Sequence, residues 1–252
     1  MRAIILAAGK GVRLEPANPE PVKCLVKLGG TSLIERQLGY LRASGISDIT
    51  VVVGFQREHL QRVCGPDINY VENTDFAKTN SMYSLWLARE FFSDGFVVMN
   101  SDVFFHPQLL TDLITDDHED AILISYRNGT KYGDVEMKVK VRDGNLLDIS
   151  KSMDPEEADG ENVGIVKFGA AGAIVLAKEL EKLVASGAVK SWAPRAFLEF
   201  TKSRPLHVVS TRGYPWIEID FPEDLQRARD EVLPQIPALS ALQAIPVSSS
   251  EL

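Results

Sequence analysis

Residues 3–8 (AIILAA) form an unbroken apolar run that stops at Gly9. A run this short and continuous predicts a strand buried on both faces. The periodicity then lengthens. Residues 32–45 (SLIERQLGYLRASG) carry apolar positions at helical spacing, open on Ser32 with Glu35 three residues later, and end at Gly45. A capping box and a glycine C-cap predict a helix between them. The alternation repeats, with strands expected at 48–54, 68–73, 95–103 and 120–126 and helices at 56–63, 80–92 and 107–114. Such strand–helix–strand repetition implies parallel strands with crossover helices on both faces.

Beyond Arg127 the rhythm changes. Residues 134–150 (DVEMKVKVRDGNLLDIS) alternate polar and apolar positions across Asp143-Gly144, which predicts an antiparallel hairpin. It reads as a small β-rich insertion or second lobe over 127–165. Residues 164–177 (GIVKFGAAGAIVLA) return to apolar strand character. Helices at 178–185 and 193–202, strands at 206–211 and 216–220 and a closing helix at 222–233 complete the pattern. The expected fold class is α/β, a mainly parallel mixed sheet flanked by helices, in one domain over 1–233. Pro, Ala and Ser then dominate, so 234–252 is expected to be a flexible tail or linker.

Composition narrows the function classes. A chain of 252 residues, 45% hydrophobic, can bury a sizeable core. A formal net charge of -8 argues against a nucleic-acid binder. It leaves small anionic ligands open, because a few local cations or a metal reverse the field inside one cleft. Cys24 and Cys64 stand far apart and fit a reducing cytosol. No apolar run approaches the ~20 residues of a membrane span, so a cytoplasmic protein with no membrane partner is expected. His59, His106, His118 and His207 lack metal-ligand spacing, and no G-x-S-x-G is present, so nucleophilic side-chain catalysis has little support.

In an open parallel sheet, ligands bind beyond the carboxyl ends of the strands. The first such loop, LAAGKGVRLEP (6–16), has two glycines that would let backbone N–H groups approach phosphate oxygens. Lys10 and Arg13 could neutralise a triphosphate; a plain glycine turn is the alternative. Leu14 stands where a dinucleotide fingerprint needs glycine, and the spacing is not that of a P-loop. Asp102 follows an apolar strand and could instead cap the helix after Phe105. Asp220, before Pro222 and Glu223, fits a capping pattern as well. Together, two aspartates at strand ends facing a glycine loop with cations suit a Mg²⁺–nucleotide site. Lys23 could be a solvated lysine or a phosphate ligand, and Asn80 and Ser81 a helix cap or a nucleotide contact. Trp86, Trp192, Trp216, Tyr83, Tyr132 and Tyr214 fit core or rim aromatics, with a cation–π hold on a cationic head group as the alternative.

Taken in order, these stretches resemble the sugar-1-phosphate and phosphoalcohol nucleotidyltransferase family. LAAGKGVRL is similar to its signature loop and PVKCLVKLGGTSLIERQLGYL to its lysine segment and following helix. NSDV resembles its metal-binding element, with Asn100 where an acid often stands, and WIEIDFPEDL its second metal aspartate. TNSMYSLWLA is similar to the phosphocholine-type cytidylyltransferase branch. The resemblance spans residues 1–233. It implies a Rossmann-like, GT-A-like fold and an enzyme that moves CMP from CTP to a small phosphorylated alcohol or phosphonate, releasing pyrophosphate. It implies Lys23, Arg13, Asp102 and Asp220 as catalytic, with Mg²⁺ on the two aspartates. Leu6, Ala7, Ala8, Gly9, Lys10, Gly11, Arg13, Lys23, Asn80, Ser81 and Ser84 would bind the nucleotide. Lys151, Glu161, Gly164 and Glu218 would bind the acceptor. A sugar-1-phosphate enzyme using UTP, dTTP or GTP and a non-catalytic nucleotide-sensing module are the alternatives.

Overall fold

Both faces of the first strand are buried. In the computed structural model, which describes residues 1–11, 13–14, 22–126, 132–239 and 241, β1 (Arg2–Ala7) sends Ala3, Ile5 and Ala7 into one core. Ile4 and Leu6, with Ala8 beyond the strand, enter the other. Successive side chains on a strand alternate faces, so a strand covered on both sides must be apolar at every position. A short hairpin, β2 (Lys27–Leu28) and β3 (Thr31–Ser32), leads into α1 (Leu33–Ala43). Ser32 and Glu35 form the expected capping box. Gly45 ends α1 at φ +78, with its N–H on Arg42 O and the Ile46 N–H on Leu41 O, a Schellman closure.

The chain continues through β4 (Ile49–Val53), α2 (Arg57–Cys64), β5 (Asn69–Glu72), α3 (Ser81–Leu87) and β6 (Phe96–Asn100). Next come β7 (Val103–Phe105), α4 (Gln108–Thr115), β8 (Ala121–Ser125), β9 (Lys138–Arg142), β10 (Asn145–Ser150) and β11 (Gly160–Phe168). The last elements are α5 (Ala170–Ala185), α6 (Pro194–Thr201), β12 (His207–Ser210), β13 (Trp216–Glu218) and α7 (Pro222–Arg227). Among the described residues, nine strands make one mixed sheet in the order β5-β4-β1-β6-β11-β8-β12-β10-β9. The β5-β4-β1-β6 half is parallel, whereas β11 is antiparallel to both β6 and β8.

Four expectations change. The hairpin is no separate lobe: β9 and β10 extend the sheet, pairing with β11 and β12. Its Asp143 and Gly144 both have positive φ, as a two-residue type I′ turn requires. β11, partly assigned to the insertion, runs through the middle of the sheet, and residues 127–131 lie outside the described residues. The apolar stretch 164–177 divides at Gly169, beyond which α5 buries Gly172, Ala173 and Leu176 and exposes Ile174. Apolar content alone does not separate a buried strand from a buried helix face. Residues 216–220 are no strand of the main sheet either; β13 pairs only with β7, as a two-stranded ribbon. Finally, the fold runs past Leu233: Ile236 is buried in a small core with Phe104 and Ile217, and Leu239 packs over Gly39 of α1. The rest of the expected tail lies, Ala241 apart, outside the described residues.

Candidate active site

The parallel half of the sheet opens at the ends of β1 and β6 into a cleft of about 470 Å³. Residues 6–11 and Arg13 line it, as do Lys23, Asn80, Ser81 and Ser84. Val12 and residues 15–21 of the loop and proline-rich segment lie outside the described residues. Gly11 sits at φ +64, and a Cβ there would come within 2.5 Å of the Lys23 Cβ. Only glycine combines that backbone with that approach.

Lys23 is the electrostatic centre. Its ammonium lies 2.7 Å from Asp102 Oδ2 and also bonds Asp220 Oδ1, while Arg13 reaches Asp220 Oδ2 at 2.9 Å. Burial alone would lower the Lys23 pKa, but the two carboxylates outweigh it and hold the ammonium charged well above its ordinary range. Burial would raise the Asp220 carboxyl; Lys23 foremost, then Arg13, outweigh that and hold it below its usual value.

Two elements far apart in sequence aim these aspartates. Asp102 sits in the turn from β6 to β7, and the buried Gln37 of α1 donates to Asn100 O at 3.0 Å and Val103 O at 2.9 Å, bracing that turn from both sides. The β7–β13 ribbon sets Glu218 opposite Val103, and the Ile219 N–H donates to Asp102 O at 3.0 Å. Neither aspartate acts as a helix cap. Asp224 accepts the Asp220 and Phe221 N–H groups at the start of α7, and His106 Nδ1 accepts the Gln108 N–H at the start of α4.

Glu218 joins the aspartates. Asp102, Glu218 and Asp220 each offer a carboxylate oxygen within 4.8 Å of the others. Burial first, then the negative charges of Asp102 and Asp220, hold the Glu218 carboxyl far above its ordinary value. Asp102 Oδ1 is buried with no hydrogen-bond partner among the described residues. An all-oxygen cluster with an orphaned carboxylate atom fits a small hard divalent cation such as Mg²⁺.

The remaining expected residues divide. Asn80 Oδ1 accepts the Ser81 N–H, Ser81 Oγ accepts the Ala193 N–H, and Ser84 Oγ accepts from Asn73. These three line the cleft while fixing its wall. Lys151 lines the cleft as well, with its ammonium 5.0 Å from the Trp192 ring centroid. Two expected acceptor residues are not among those lining this cleft. Glu161 is buried off the cleft, and its neighbour Asn162 lines the cleft instead, as strand alternation requires. Gly164 stands behind Asn100, where a Cβ would lie 2.8 Å from Asn100 Nδ2, so it gives room rather than contact. Asn73, Thr79 and Asn162 line the cleft without having been singled out as ligands, and Trp192, one of six aromatics weighed for a cationic head group, lines it as well. Asn73 follows β5 directly, so the strand-end rule could have found it. Trp192 depends on how the α5–α6 connection packs, which no local pattern reports.

The sequence model of the MobA-like NTP transferase domain matches residues 3–213. The chain belongs to this family. Solved structures share its mixed α/β architecture. A CTP:phosphocholine cytidylyltransferase from Streptococcus pneumoniae superposes with a TM-score of 0.74 at 25% identity, covering 90% of this chain and 97% of that one. An inositol-1-phosphate CTP transferase from T. maritima superposes with a TM-score of 0.77 at 20% identity, covering 96% of each chain. In sequence, the chain is 35% identical over 131 residues to a CMP-5'-(3-aminopropyl)phosphonate synthase of Streptomyces rubellomurinus. That match covers 50% of this chain and 21% of the relative. It is 36% identical over 116 residues to a choline-phosphate cytidylyltransferase of Streptococcus pneumoniae, covering 45% of this chain and 50% of the relative. The matched stretch is thus half or less of the length of these two relatives. Among the described residues no helix is long and apolar enough to cross a membrane.

Proposed function

We propose that this chain is a Mg²⁺-dependent cytidylyltransferase that joins CMP from CTP to a small phosphorylated alcohol or phosphonate and releases pyrophosphate. The observation that carries the reading is the Lys23 ammonium held between Asp102 and Asp220, with Gly11 folded against its side chain. An acceptor phosphate oxygen attacks the α-phosphorus of CTP, and the bond from that phosphorus to the bridging oxygen of pyrophosphate breaks. A phosphomonoester has a second pKa of about 6 and attacks as the dianion, so no general base is needed. What the protein supplies is position and charge.

The loop amides of residues 9–11 and Arg13 hold the β- and γ-phosphates, and Lys23 meets the charge at the α-phosphate. Asp102, Glu218 and Asp220 would hold Mg²⁺, which offsets charge on the phosphate oxygens and aligns them. Lys151, beside Trp192, and Glu218 form the acceptor end. The choice of CTP is supported by relatives whose names specify CMP or CTP chemistry.

The test is pyrophosphate release by the purified chain with Mg²⁺ and each of CTP, UTP, dTTP and GTP. Acceptors are phosphocholine, phosphoethanolamine, an aminoalkylphosphonate, inositol phosphate and a sugar 1-phosphate. The expected result is release with CTP and a phosphoalcohol or phosphonate. Release only with another nucleotide and a sugar 1-phosphate overturns the acceptor and base assignment, and no release with any pair overturns the enzyme.

A further inference from the structure

At the far end of the sheet lies a second group of metal-ligand side chains that the proposed reaction does not use. β8 and β6 are both antiparallel to β11, and β12 is parallel to β8. The starts of β8 and β12 therefore face away from the cleft, which lies at the ends of β1 and β6. Asp116 closes α4, His118 follows in the loop to β8, and His207 opens β12. Their donor atoms all lie within 4.8 Å of one another.

We propose that Asp116, His118 and His207 form a binding site for a zinc-class divalent ion, Zn²⁺ or Ni²⁺ rather than Mg²⁺. The donor set decides the class. Imidazole nitrogens suit Zn²⁺ and Ni²⁺, while Mg²⁺ asks for oxygen alone, as in the carboxylate cluster of the cleft. The spacing is close to what such an ion needs: bonds of about 2.0–2.2 Å put neighbouring tetrahedral ligands roughly 3.3 Å apart. His118 Nδ1 stands 2.9 Å from Asp116 Oδ1, and the two imidazole rings stack with centroids 3.5 Å apart and 12° between planes. A parallel stack leaves the ring lone pairs side by side, so one ring must turn to make them converge. His118 is more than half exposed and its χ2 is soft, so it is the ring that turns.

The surroundings hold the donors in place: Asp116 Oδ1 accepts the His118 backbone N–H at 2.9 Å, which ties the two residues together. Lys167, whose charge lies near, spends its ammonium on the carbonyls of Asp116 and Ile114 and so pins the Asp116 backbone. Glu119 and Asp120, which could offer further oxygens, are paired with Arg204. A bound ion would tie the α4–β8 loop to β12, two segments distant in sequence.

The experiment is calorimetric titration of the full chain with ZnCl₂ in excess Mg²⁺, followed by thermal unfolding with and without Zn²⁺. One Zn²⁺ site is expected in the unaltered chain and in Asp102→Ala, with at least tenfold weaker binding in His118→Ala and in His207→Ala. An ion that binds only the folded state also raises its unfolding temperature, an effect that His118→Ala should remove. His118 is exposed, so its variant keeps the fold, which the midpoint in EDTA checks. Absence of Zn²⁺ binding, or binding that survives His118→Ala and vanishes in Asp102→Ala, overturns the site. The outcome is independent of whether the chain turns over CTP.

Discussion

Gly11 and Lys23 are packed so closely that a single methyl group on the glycine would overlap the lysine side chain, at 2.5 Å from its Cβ. The glycine loop therefore does more than offer amides to phosphate: its backbone is the surface against which Lys23 is aimed. Gly11→Ala meets both this overlap and a left-handed backbone that costs a non-glycine residue about 1–2 kcal/mol. Turnover is expected to fall at least tenfold, with unfolding displaced by an amount of that order. Pyrophosphate-release kinetics and urea denaturation of the same preparation check both.

Asp220 and Asp224 should separate cleanly. Asp224 carries the cap of α7, so Asp224→Ala is expected to lose about 1 kcal/mol of stability and keep most of its activity. Asp220→Ala removes a partner of both Lys23 and Arg13 and should lower kcat at least a hundredfold with the α7 cap intact. Steady-state rates and unfolding midpoints of the two variants test the division, and the reverse pattern would return Asp220 to a capping role.

Gln37 never reaches the cleft, yet it holds the turn that carries Asp102. Gln37→Met keeps the volume and removes both donated hydrogen bonds, leaving two carbonyls short of a partner at a cost of roughly 1–3 kcal/mol each. The Mg²⁺ concentration for half-maximal activity should rise severalfold while KM for CTP stays near its original value. Calorimetric Mn²⁺ titration of the nucleotide-free protein should show the same weakening.

Both thiols should be silent in the native protein. Burial pushes the Cys24 thiol far above its ordinary range, and burial, with the Glu35 charge behind it, pushes Cys64 up to about 12. Unfolded, each would ionise near pH 8.5. Because the folded value is the higher one, the contribution is complete below about pH 8.5 and is lost as pH rises toward the folded value. Thiol reagents at pH 8 should label neither cysteine until denaturant is added. Unfolding midpoints should fall between pH 8 and pH 10, less steeply in Cys64→Ala.

Local patterns of residues 3–8 and 32–45 determined a buried strand and a capped helix, because an unbroken apolar run and a Ser–Glu capping box are written within a few consecutive residues. The strand-end rule likewise found the glycine loop, Asp102 and the neighbourhood of Asp220. Pairing was another matter. That β11 enters the sheet antiparallel between β6 and β8, and that β13 leaves the sheet to pair with β7, depends on contacts between residues tens of positions apart. The tertiary structure alone therefore decided that Glu218 joins the two aspartates, that Glu161 turns its back on the cleft, and that Gln37 braces Asp102. It also decided that two histidines without any metal spacing in sequence stack beside Asp116. A sequence carries the preference of each segment for helix or strand; which faces meet is settled by the burial that all segments achieve together.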